Sequence, residues 1–92
     1  MKRFLHLAVS PVDETYRELV ESKLNKATDW LRYLPNCWLV YTAQPASVWY
    51  KRLSEIETTN QRNLFVAELN LQNRAGWIKS SAWEWITKKR PS

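Results

Sequence analysis

Residues 3–24, RFLHLAVSPVDETYRELVESKL, set the pattern from which the rest of the chain is read. Leu5, Leu7 and Val9 alternate with Phe4, His6 and Ala8, which is the two-residue period of a strand, and both sides of the alternation are fairly apolar. Ser10, Pro11 and Asp13 then supply helix-start chemistry, because Pro fits a first turn and Asp13 and Glu14 sit where the helix dipole favours anions. From Asp13 to about Asp29, Tyr16, Leu19, Val20, Leu24 and Ala27 fall at three- and four-residue spacings, so the spacing predicts a helix with one stripe against a core.

Moving outward, Trp30 to Leu34 alternates weakly, Pro35-Asn36 is turn punctuation, and Cys37 to Thr42 is aromatic and β-branched, which together predict an antiparallel hairpin. Gln44-Pro45-Ala46-Ser47 opens a second helix with Val48, Trp49, Leu53 and Ile56 on its stripe and Lys51, Arg52, Glu55 and Glu57 on other faces. Leu64 to Leu71 reads as a strand again, with Phe65, Ala67, Leu69 and Leu71 on one side. The order strand, helix, strand, strand, helix, strand is the split βαβ arrangement, so the expected fold class is α+β: a ferredoxin-like βαββαβ sandwich with a four-stranded antiparallel sheet and two helices on one face. The whole chain, 1–92, is expected to be one domain with a core at 3–71 and a Trp-rich C-terminal extension at 72–92. In that extension Ser80 and Ser81 cap either a short helix or an extended tail.

Composition narrows the class. Hydrophobic residues at 45%, charged residues at 25% and a single Gly exclude a disordered or collagen-like chain. No apolar run is long enough to span a bilayer and no secretory leader is evident, so no membrane association and a cytoplasmic location are expected. Cys37 is alone and reads as a small buried hydrophobe. His6 has no Ser, Cys or Asp partner at a recognisable spacing, and reads as a structural or interface residue rather than a general base. A Gly-rich phosphate loop is impossible with only Gly76, and zinc would lack paired Cys or His ligands. No cofactor and no metal are therefore expected, and the reading leans away from an enzyme.

Two features point to partners. The net charge of +5 favours a polyanion, and Arg32, Lys51, Arg52, Arg62, Arg74 and Lys79, interleaved with Trp and Tyr, are the expected nucleic-acid-binding residues. Four more positive charges, Lys2, Lys88, Lys89 and Arg90, lie in the tails, where solvated ends explain them at least as well as nucleic-acid contact does. Six Trp and strands that are apolar on both sides imply that something covers the open sheet face, and a second copy is the simplest cover. A homodimer is expected, with Phe4, His6, Trp38, Val40, Trp77, Trp83 and Trp85 at the interface.

The run Trp38-Leu39-Val40-Tyr41-Thr42, then Pro45 to Ile56, then Asn63-Leu64-Phe65-Val66-Ala67-Glu68-Leu69, resembles small bacterial SinR-like proteins of the CRISPR-associated endoribonuclease (adaptation) superfamily. The likeness spans roughly residues 3 to 71 and rests on pattern rather than an invariant motif. It implies a ferredoxin-like dimer associated with nucleic acid or a defence complex. Nuclease members carry an Asp at the end of the first strand for a divalent metal, whereas Ser10 stands there in this chain and Asp13 already belongs to the helix start. The expected function is thus a non-catalytic homodimeric binding module. The alternatives are a metal-dependent nuclease by family analogy, and a protein-only interaction factor such as a toxin–antitoxin partner or a phage inhibitor of host defence.

Overall fold

The computed structural model describes residues 1–71, 75–78 and 80–89. In chain order the elements are β1 (Arg3–Ser10), α1 (Glu14–Leu24), β2 (Asp29–Leu34), β3 (Cys37–Thr42), α2 (Ala46–Ser54), a single 3-10 turn at Thr59–Gln61, β4 (Asn63–Leu69) and α3 (Ser80–Lys89). The four strands form one antiparallel sheet in the order β2-β3-β1-β4. β1 is central: Arg3 to Ala8 pair with Thr42 to Cys37, and Phe4 to Ser10 pair with Leu69 to Asn63.

Local chemistry sets the boundaries. Asp13 caps α1 by accepting the Tyr16 N–H at 2.7 Å. The helix ends at Leu24, short of the Asp29 that periodicity predicts. The Lys26 and Ala27 N–H groups reach back only three residues, to the Lys23 and Leu24 carbonyls, so the last turn tightens and releases the chain toward β2. Leu19, expected on the buried stripe, is exposed, and Tyr16, Val20 and Leu24 carry the contact alone. Lys23 ties α1 to the segment after α2 through Glu55, at 3.1 Å, so Glu55 is not the within-helix partner that its spacing from Lys51 predicts.

One cluster holds the core. Leu5, Leu7 and Val9 of β1 and Trp38 and Val40 of β3 pack with Tyr16, Val20 and Leu24 of α1 and with Trp49, Leu53 and Ile56 around α2. Buried indole and hydroxyl groups of this cluster find partners. The Trp38 indole donates to Glu21 Oε2 at 3.1 Å and the Trp49 indole to Thr42 Oγ1 at 3.1 Å. The Tyr16 hydroxyl meets Thr59 Oγ1 at 2.7 Å, and Thr59 donates onward to the Leu53 carbonyl at 3.0 Å. This corrects the interface expectation for two residues: Trp38, at 0% exposure, and Val40, at 2%, are core residues with no surface left to offer a partner.

The opposite face carries Phe4, His6 and Ala8, and the C-terminal segment lies against it as a helix. Ala82 and Ile86 of α3 are buried, and Phe4 meets the Trp85 ring edge-on with centroids 6.0 Å apart. The Trp85 indole donates to Asp29 Oδ2 at 3.1 Å and the Lys89 ammonium sits 2.8 Å from the same oxygen. Over Phe4 and Leu39, then, the layer assigned to a second copy is supplied by the chain's own third helix. The cover stops short of β4, where Phe65 is 61% exposed.

Candidate nucleic-acid interface

The cations are best traced from Asp29, the first residue of β2. In register Asp29 faces Tyr41 of β3, which in turn faces Phe4 of β1. The Lys2 ammonium lies 5.9 Å from the Tyr41 ring centroid, Lys89 is bonded to Asp29, Lys88 precedes it in the last turn of α3, and Lys26 stands in the turn that leads into Asp29. Lys89 is thus paired with Asp29 and Lys2 lies near the neighbouring Tyr41 ring, while Lys26 and Lys88 stand close to these positions in sequence, shortly before Asp29 and just before Lys89. Burial works against the Asp29 charge, but the Lys89 ammonium and the Trp30 and Trp85 N–H groups outweigh it and hold this carboxyl below its ordinary value. Lys26 and Lys88 make no ion pair among the described residues. The same lysines sit near the C-terminal ends of α1 and α3, where cations complement the helix dipoles, so part of their placement is structural.

The cations expected from sequence do not gather. Arg32 lies on β2 with its Nε 3.7 Å from Glu21. Lys51 is exposed on α2, and Arg52 lies over the Trp49 ring at 4.8 Å. Arg62 turns inward: its side chain is 12% exposed, stacked 3.9 Å over Tyr16, 3.6 Å from Asp13, and donating to the Pro11 carbonyl. It braces the entry to β4. Arg74 and Lys79 lie outside the described residues. The lysines at the Asp29 end escape a reading of the sequence because each stands near a chain end or in a turn, and nothing local says that residues 2 and 89 come to neighbouring strand positions.

Of the expected interface aromatics, Phe4 and Trp85 are spent on each other, while Trp77 is fully exposed. Trp83 lines a cleft of about 360 Å³ between α3 and the sheet, with His6 and Tyr33 on its floor and Leu39, Leu69 and Ile86 among its apolar walls. His6 Nε2 and the Tyr33 hydroxyl are hydrogen-bonded. Burial pushes the His6 imidazole below its ordinary value, and burial together with the nearby Cys37 thiol pushes the Tyr33 phenol up. The hydrogen bond engages both groups, and the half-buried Cys37 thiol lies beside Tyr33. At the other end of β1, Ser10 is exposed beside Asn63, and Asp13 is committed to its cap and to Arg62. Among the described residues no group of three His, Cys, Asp or Glu side chains is placed to hold a metal ion, and no helix is long and apolar enough to cross a membrane.

No family model, curated protein or solved structure matches the chain.

Proposed function

We propose that the chain is a non-catalytic, ferredoxin-like binding module that attaches to nucleic acid through the lysine-rich end of its sheet and works as a homodimer. The ferredoxin-like reading is supported by the strand order β2-β3-β1-β4 and by the single cluster that joins α1 and α2 to the same side chains of β1 and β3. The kinship to SinR-like proteins belongs to the same proposal and rests on the resemblance of the residue pattern over roughly residues 3 to 71. The observation that carries the nucleic-acid reading is the placement of Lys89 on Asp29 and of Lys2 near Tyr41, the register neighbour of Asp29, with the exposed Lys26 and Lys88 close by in sequence. An excess of ammonium groups in one place neutralises successive phosphates and releases their counterions, and that release drives sequence-independent binding.

The test is a titration of labelled single-stranded and duplex RNA and DNA across a salt series. Binding should weaken steeply with salt, and Lys26→Glu combined with Lys88→Glu should make the log–log salt slope shallower by about 1.5. Lys51→Glu with Arg52→Glu should leave it nearly unchanged. Absent or salt-independent binding, or a larger effect from the α2 pair, overturns the proposal. Trp77, fully exposed, favours the protein-only reading as the second choice; a pull-down that recovers one dominant protein after nuclease treatment, and fails with Trp77→Ala, would move it to first.

A further inference from the structure

The two edges of the sheet are built differently. β2, on one edge, carries Asp29 and Arg32, has an irregular register between Arg32 and Leu34, and is tied to α3 through the Trp85 and Lys89 contacts to Asp29. Charges and a local irregularity are the usual devices that keep an edge from pairing with another chain. β4, on the other edge, has no such irregularity and a single charged residue. It is a seven-residue strand in unbroken register with β1, and among the described residues no strand pairs with its outer side. Its one charge, Glu68, is neutralised by Arg3 at 3.0 Å. Exposed aromatics flank it: Phe65 at 61% on the β4 strand itself, and Tyr50 at 55% on α2, which packs against β4 and shares a groove with Asn63 and Leu64.

We propose that β4 is the dimer edge, pairing antiparallel with β4 of a second copy to make one continuous sheet. The inference rests on the homodimer reading above and adds where and how the copies meet. An open row of backbone N–H and C=O groups selects an extended strand as its occupant, whatever the side chains. Charge selects this chain's own β4, in the antiparallel sense. β4 starts beside Asp13, Glu57 and Arg62, which together leave one negative charge in excess, and finishes toward Lys2, Arg3 and Glu68, which together leave one positive charge in excess, because Leu69 pairs with Phe4. A two-fold axis sets the acidic end of each copy beside the basic end of the other, whereas parallel pairing would set like beside like. Antiparallel pairing also keeps Glu68 away from its own mate unless the axis falls on Glu68 itself. The rings of Phe65 and Tyr50 then lose solvent at the seam, as interface aromatics do.

The experiment combines light scattering for mass with amide hydrogen exchange of wild-type protein at micromolar and millimolar concentration. The expected result is a dimer whose β4 amides are protected at the higher concentration and exchange faster at the lower. Phe65→Lys and, separately, Tyr50→Ala should each weaken dimerisation by about tenfold or more; both positions are exposed in the monomer, and circular dichroism checks that the fold is kept. A dimer whose β4 exchange does not change with concentration and which survives Phe65→Lys overturns the edge while leaving self-pairing intact. A chain that stays monomeric at millimolar concentration overturns both, and leaves the β4 edge to an extended segment of another protein.

Discussion

The two faces of the sheet are covered by different means. On one, Leu5, Leu7, Val9, Trp38 and Val40 share a single buried cluster with Tyr16, Val20 and Leu24 of α1 and Trp49 and Leu53 of α2, helices that lie between strands in the chain. On the other, a single terminal helix is held by Ala82, Ile86, the Phe4–Trp85 contact and two bonds to Asp29. Connectivity makes the first face part of the cooperative core, while the lid helix on the second, held by fewer buried side chains, is expected to open more readily. Elements joined by few buried contacts sit at the low end of the local stability range.

The sharpest way to break this comparison is to damage each face in turn. Trp38→Ala empties a fully buried site and removes the indole bond to Glu21, so it should cost about 3–5 kcal/mol and lower the denaturant midpoint for every probe at once. Ile86→Ala, on the lid, should cost about 2 kcal/mol, near the low end for such truncations because α3 can settle into the gap. Its hydrogen-exchange signature is the discriminating part: α3 amides should speed up while β1 and β3 amides barely change. Equal acceleration throughout would make α3 a member of the core and erase the distinction.

The interlocked face was legible in the sequence because its signals are local. Alternation marks β1, the Pro35-Asn36 turn fixes the hairpin, Asp13 and Pro45 mark helix starts, and the spacing of Tyr16, Val20 and Leu24 names the buried stripe. The lid was not legible in the same way. The run 82–86 alternates Ala82, Trp83, Glu84, Trp85, Ile86, which suits an extended tail as well as a helix, and only docking against Phe4 and Asp29 decides between them. The candidate site was hidden for a related reason. Arg62 looks free from its neighbours in sequence, yet its partners Asp13, Tyr16 and Pro11 arrive from the far side of the chain. Conversely, Lys2 and Lys89 look like frayed ends until the register of β1, β2 and β3 brings them to one place.

The smallest expected effect is also the one that separates the faces by pH alone, because His6 and Asp29 both lie on the side of the sheet that α3 covers. Burial lowers the folded His6 value below the ordinary 6.5, so as pH falls beneath 6.5 the unfolded chain takes up a proton that the folded chain resists. Stability should therefore decline gently from pH 6.5 downward, with no His6 contribution above that. Asp29 acts in a separate window: its folded value is depressed from 3.8, so the stabilisation from Lys89 and the two N–H donors is present above pH 3.8 and lost as pH drops through the folded value. Denaturant midpoints measured from pH 8 to pH 3 for wild type and His6→Gln separate the two. The variant should lack the upper decline and keep the lower one, and exchange in the wild type should show the upper decline concentrated in α3. If wild type and variant run parallel between pH 6.5 and 5, His6 does not sense the lid, and the contrast between the faces must stand on packing alone.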